Sequence, residues 1–166
     1  MNRNRIIGAL VTATTLGTGV LAAPAQAAAV YHEIVARHSG KCVDVRGASR
    51  MDEADVLQYR CHGGDNQRWR LVNRGGGYYE IIADHSGKCL DVWGSSQADE
   101  ADVRQYRCNG GANQRWRLAP RGGGYQEIIA RHSGKCLDVW GSSQDDDADI
   151  QQYRCSGAAN QQFRLR

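Results

Sequence analysis

The sequence predicts an all-β domain made of three copies of one unit. Three observations carry that prediction. The string "GKCLDVWGSSQ" occurs twice without a change, at residues 87–97 and 134–144, and a looser copy, "GKCVDVRGASR", fills residues 40–50. Tyr31, Tyr78 and Tyr125 are 47 residues apart, as are both sets of equivalent cysteines, and a fixed period of this length marks a repeat architecture. Apolar residues alternate at period two, and no stretch after residue 27 sustains a helical period.

The elements of the unit follow in order. In the first copy "YHEIVAR" reads as a strand, "HSGK" as a glycine turn and "KCVDV" as the returning strand. "DVLQYRC" and "QRWRLV" are two more strands, separated by the Gly-rich "HGGDN". An "RGGG" spacer joins one copy to the next. The predicted units are residues 31–77, 78–124 and 125–166, within a domain spanning 28–166. Trp69, Trp116 and Phe163 recur at one position of the last strand and are expected in the core.

Residues 1–27 read as a secretory signal peptide. "MNRNR" is positive, an apolar stretch rich in Thr and Gly follows, and "APAQA" places Ala25 and Ala27 before a cleavage point. The apolar stretch barely reaches a spanning length, and Pro24 with the small-residue site follows it, which favours a leader over an anchor. The expected localisation is secreted, without membrane insertion. Without Arg3 and Arg5 the remaining chain has 19 basic and 18 acidic residues, from 21 and 18 in the whole. That balance, with the two signs interleaved, argues against nucleic acid as a partner. A monomer is expected.

Six cysteines in an exported chain read as three disulfides. Three equivalent first cysteines cannot pair among themselves under the repeat symmetry, so each pairs with a second one. The nearest choice lies within a repeat: Cys42–Cys61, Cys89–Cys108 and Cys136–Cys155. Each closes a loop of about 20 residues and contributes roughly 3 kcal/mol in the chain-entropy model.

These residues resemble the ricin B-type lectin family, which also supplies carbohydrate-binding modules to secreted microbial glycosidases. Gly-Lys-Cys-Leu-Asp-Val, Gln-Tyr-x-Cys, and the closing "NQRW" at Asn66–Trp69 and Asn113–Trp116 or "NQQF" at Asn160–Phe163 carry the resemblance, in fixed register across the whole predicted domain. It implies a β-trefoil: a six-stranded barrel capped by three hairpins, with up to three sugar sites, one per unit; no cofactor is expected.

Sugar recognition in water needs planar polar side chains for adjacent hydroxyls and an aromatic ring for the apolar C–H face. The resemblance assigns those parts. Asp44, Asp91 and Asp138 accept sugar hydroxyls, and Tyr59, Tyr106 and Tyr153 stack on the ring. Asn66, Asn113 and Asn160 contact a hydroxyl, while Gln67, Gln114 and Gln161 orient the Asp. A further contact is expected four residues before the second cysteine, where the copies diverge into Leu57, Arg104 and Gln151. Only the third copy holds the full set, so it is expected to be the best site. Arg104 is expected either to reach a hydroxyl or to fill its pocket and pair with Asp91. Trp93 and Trp140, replaced by Arg46 in the first copy, either widen the stacking surface or cover the hairpin. The expected ligands are galactose- or xylose-type glycans; a protein-binding trefoil inhibitor that has lost sugar binding is the alternative.

Other chemistries fit the residues less well. His38, His85 and His132 would have to converge on the symmetry axis to hold a metal, and turns at hairpin ends splay outward. "DDDAD" at 145–149 lacks the Gly and Glu of a calcium loop, with Ile150 and Ser156 in their places. No activated nucleophile or paired acid and base is legible, so no enzyme is expected.

Overall fold

The computed structural model describes residues 29–166; the expected leader lies outside them. Strands form where the sequence alternates, four to a unit. The first unit holds β1 His32–Ala36, β2 Cys42–Val45, β3 Val56–Tyr59 and β4 Arg68–Asn73. The second holds β5 Tyr78–Ala83, β6 Cys89–Val92, β7 Ala101–Tyr106 and β8 Trp116–Gly122. The third holds β9 Tyr125–Ala130, β10 Cys136–Val139, β11 Ala148–Tyr153 and β12 Phe163–Leu165. The only helical elements among the described residues are 3₁₀ turns of three residues.

The first and last strands of the three units close into a barrel. β1 pairs β4, β4 pairs β5, β5 pairs β8, β8 pairs β9, β9 pairs β12 and β12 returns to β1, all antiparallel. Closure leaves no free edge along this path. The middle strands form the hairpins β2–β3, β6–β7 and β10–β11, which meet around the axis through β11–β3, β11–β7 and an isolated bridge between Asp55 and Arg104. This is the β-trefoil that the resemblance implied.

The core sits on that axis. Trp69, Trp116 and Phe163 are fully buried, with Val43 and Val45, Leu90 and Val92, Leu137 and Val139 around them. The indole N–H of Trp69 donates to Val43 O and that of Trp116 to Leu90 O, both at 3.0 Å. Phe163 fills the same position without a donor. Each "CxDV" strand is therefore two-sided: the aliphatic residues face the core, while Cys and Asp face away. The three disulfides are Cys42–Cys61, Cys89–Cys108 and Cys136–Cys155, the within-repeat choice among the pairings that the symmetry allows.

Seams between units are polar and repeated. Gln58, Gln105 and Gln152 are fully buried, turned away from the Tyr beside them. Gln105 Nε2 donates to Ser49 O and Met51 O of the preceding unit at 2.7 and 2.8 Å, while Ser86 Oγ donates to its Oε1 at 2.8 Å. Gln58 and Gln152 make the corresponding bonds, Gln58 from the first unit to the third. Beside each Gln, a lysine meets an aspartate: Lys41–Asp146 at 2.6 Å, Lys88–Asp52 and Lys135–Asp99 at 2.7 Å. His38, His85 and His132 each set Nε2 at 2.8 Å from a carbonyl across the seam, so they splay to three separate seams.

Candidate functional site

The same constellation is built three times beside a hairpin. Asp44 on β2 lies directly opposite Leu57 on β3, Asp91 opposite Arg104, and Asp138 opposite Gln151. The divergent position is therefore the cross-strand partner of the aspartate. Tyr59, Tyr106 and Tyr153 follow two residues on, half-buried on the same face. A 3₁₀ turn before the last strand of each unit brings the Asn-Gln pair back under the aspartate.

Gln67 Nε2 donates to Asp44 Oδ2, Gln114 Nε2 to Asp91 Oδ2 and Gln161 Nε2 to Asp138 Oδ2, at 2.8, 2.8 and 2.9 Å. The oxygens of these three Gln accept the backbone N–H of His62, Asn109 and Ser156. Each Gln therefore has one orientation, and each aspartate is fixed from below. Asn66 and Asn160 also reach the aspartate at 3.0 Å while holding a backbone carbonyl; Asn113 reaches the carbonyl of Val92 at 3.1 Å. In the third copy Gln151 Nε2 adds a bond to Asp138 Oδ1 at 3.0 Å.

Burial raises the pKa of Asp44, Asp91 and Asp138 above 3.8, opposed most by the Gln67 bond at Asp44, the Gln114 bond at Asp91 and the Gln151 bond at Asp138. These are acceptors held largely buried at a cavity wall, where a donating hydroxyl is worth more than in bulk water. The neighbouring guanidinium holds each Tyr: Arg60, Arg107 and Arg154 stack at 5.2–5.3 Å and donate to the phenol oxygen.

Trp93 and Trp140 do not continue the strand. β6 ends at Val92 and β10 at Val139, and each Trp opens a 3₁₀ turn whose next residue, Gly94 or Gly141, has φ near +60°. Only glycine adopts that angle without strain, and the bend sets the indole at the lip. Trp140 lines a cavity of about 430 Å³ with Asp138, Gln151, Tyr153, Asn160 and Gln161. Trp93 lines one of about 200 Å³ with Asp91, Tyr106 and Asn113. Both indoles thus stand in a cavity wall beside the hairpin.

The copies differ more than the sequence indicated. Arg104 neither pairs with Asp91 nor enters its cavity; it donates to Asp102 Oδ2 at 3.1 Å and stacks on Trp93 at 5.1 Å. Trp93 in turn meets Tyr106 edge-on at 6.2 Å and is 36% exposed, against 58% for Trp140. The second site is thereby the narrowest of the three. In the first copy the cavity is about 400 Å³, and His62 enters it with Nε2 3.4 Å from Asp44 Oδ2. Gly64 N–H donates to His62 Nδ1, which turns Nε2 toward the aspartate.

Sequence reasoning did not find His62, or that a neighbouring unit contributes an acid to two of the cavities. Asp147 lines the first and Glu100 the third. Their equivalence with Glu53 was legible from the 47-residue period; their reach across the seam was not. The acidic run 145–149 is engaged by cations: Asp146 meets Lys41, and Asp147 and Asp149 face Arg46 at 3.5 and 3.4 Å.

The family model described as ricin-type beta-trefoil lectin domain matches residues 30–163. Among solved structures, the designed three-fold symmetric protein ThreeFoil is 56% identical, covering 81% of this chain and 96% of its own, with a TM-score of 0.81. The exo-β-1,3-galactanase 1,3Gal43A from Clostridium thermocellum is 39% identical over 81% of this chain with a TM-score of 0.80, and the chain spans 29% of that enzyme. The hemolytic lectin CEL-III is 32% identical over 81% of this chain and 29% of its own, with a TM-score of 0.69. A comparison with curated protein sequences returned no match. Family, fold and the thrice-built polar and aromatic cavity support a carbohydrate-binding role, and the chain belongs to the ricin-type β-trefoil lectin family.

Proposed function

We propose that this protein is a secreted, non-catalytic lectin that binds galactose- or xylose-type glycans through up to three sites, one per repeat. The observation that carries this reading is the fixed, buried aspartate beside a Tyr at the mouth of each cavity. Asp44, Asp91 and Asp138 accept hydroxyls, the Asn and Gln of the following turn position them, and the tyrosines with Trp93 and Trp140 cover the apolar sugar face. Three disulfides suit an oxidising, extracellular setting. The likeness to part of a β-1,3-galactanase makes galactan the first ligand to test.

The three cavities are set by the pseudo-three-fold axis, so a polymer or a glycan-dense surface engages them together. Linked weak sites gain about 10²–10⁴ in avidity when geometry permits simultaneous contact. A glycan array on the protein names the sugar. Surface-immobilised glycan is expected to hold the protein far more tightly than the free monosaccharide competes. Equal affinity for both forms overturns the multivalent reading; no retained glycan overturns the lectin; hydrolysis of a glycan by pure protein overturns the non-catalytic assignment.

A further inference from the structure

We propose that the barrel flank between the second and third repeats is a separate oxyanion site, formed by Arg115, Arg117 and Arg131 around Tyr78, for a sulfate or carboxylate carried by an acidic saccharide. The inference comes from comparing the three seams at equivalent positions. At the seam of repeats one and two, Arg68 Nε donates to Asp84 Oδ2 at 2.9 Å, with Asp65 at 2.9 Å on the other side. At the seam of repeats three and one, Arg37 Nη1 donates to Gln162 Oε1 at 2.6 Å. In both, the side chains of these two positions meet, because the backbones are bonded across the seam: Asp84 N–H to Arg68 O and Arg37 N–H to Gln162 O, each at 2.8 Å.

At the remaining seam the same backbone bond joins Arg131 N–H to Arg115 O at 2.8 Å, and both side chains are guanidinium. Ala112 stands where Asp65 would supply an acid. Arg131 lies over the Tyr78 ring at 5.2 Å, and Arg117 is the cross-strand partner of Tyr78. Arg115 Nε is enclosed and has no hydrogen-bond acceptor. Among the described residues, none of these three cations has a carboxylate within salt-bridge distance. Like charges on two residues joined by a backbone bond beside the Trp116–Ala130 pair repel, and an enclosed donor without an acceptor is costly. An oxyanion between them relieves both, and guanidinium forks match carboxylate and sulfate geometry.

The carrier follows from position. Arg115 Nη2 lies 3.8 Å from where a Cβ on Gly110 would stand, and Asn109 of that loop lines the second sugar cavity. One loop thus separates a neutral-sugar cavity from an anion site. The choice of a saccharide as carrier rests on the lectin reading; the oxyanion site does not.

The test uses the intact protein and two variants with the same charge change. Arg131→Asp recreates the ion pair of the first seam, with Arg115 in place of Arg68. Arg50→Asp alters an exposed residue elsewhere. Sodium sulfate titrated against sodium chloride at matched ionic strength should shift the amide resonances of residues 115–117 and 131 in the wild type and in Arg50→Asp, but not in Arg131→Asp. On immobilised sulfated galactan, polygalacturonate and neutral galactan, an acidic polymer should retain the wild type longer than the neutral one. Arg131→Asp should erase that difference, on the order of ten-fold for a lost charge-assisted bond. Whichever acidic polymer is preferred names the oxyanion. An equal loss in Arg50→Asp would show diffuse attraction and overturn the site. Sulfate shifts without preference for either acidic polymer would overturn the saccharide carrier. Failure of neutral galactan alone tells against a galactose-type ligand for the three cavities and leaves the acidic preference readable.

Discussion

Replacing Asp138 by Ala separates the third site from the other two in both stability and binding. Asp138 is 4% exposed, and its carboxylate accepts from Gln151, Asn160 and Gln161 at 3.0, 3.0 and 2.9 Å. Asn160 and Gln161 each keep a second acceptor, Val139 O and Arg154 O, after the change. The Gln151 amide has no other protein acceptor and loses its one bond at the cavity wall, at about 1–3 kcal/mol. Removing a carboxylate whose charged form burial disfavours offsets part of that cost, so the net is about 1–2 kcal/mol. For a domain of this size the melting temperature should fall by roughly 3–10 °C. Asp91→Ala is milder, because its donor Gln114 keeps Arg107 O at 3.0 Å; about 0.5–1 kcal/mol is expected. In calorimetric titration with a monosaccharide, Asp138→Ala should remove the tightest phase, a loss of about 10- to 100-fold at that site. Gln151→Leu, which copies the first site's Leu57, should weaken it by about 3- to 10-fold. If Asp91→Ala melts lower than Asp138→Ala, or Asp44→Ala removes the tightest phase, the reasoning from the Gln151 contact fails.

Acid should release sugar before it unfolds the protein. The raised Asp44, Asp91 and Asp138 take up protons first as pH falls, and protonation gives up acceptor capacity. The folded state binds those protons more readily than the unfolded chain, so stability does not fall with them. Asp52, Asp99 and Asp146 sit below 3.8, held first by hydrogen bonds from Lys88, Lys135 and Lys41; their stabilisation is present above 3.8 and lost only as pH falls through their depressed values. Circular dichroism and glycan retention over one pH series should therefore part company above pH 3.8; coincident loss contradicts this order. His62→Ser, which copies Ser156, should free Asp44 and tighten the first site by a few-fold in a background with Asp91 and Asp138 changed to Ala; no gain means that His62 does not compete with the ligand. Changing Cys89 and Cys108 together to Ala should lower unfolding free energy by roughly 3 kcal/mol, read as a lower urea midpoint, and an unchanged midpoint rules out the staple role.

What the sequence determined on its own was whatever lies within one unit. Strand order, the Cys42–Cys61 pairing and the buried Trp69 all join positions fewer than thirty residues apart; the Asp44–Gln67 couple, equally local, was legible only through the family resemblance. The 47-residue period printed each of them three times, so a weak local signal became a strong one. Tertiary structure decided what depends on how the three units close around the axis. Gln58 reads as an ordinary strand residue until the third unit's carbonyls arrive 85 and 87 positions away. Arg104 sits opposite Asp91 in the ladder, yet its guanidinium leaves toward Asp102 and Asp55, because the hairpins converge and bring a cluster of acids within reach. His62 and Asn109 are equivalent in the repeat, but only the imidazole spans the gap to an aspartate. Side-chain reach and inter-unit angle are not encoded in spacing, and the differences between the sites arise from them.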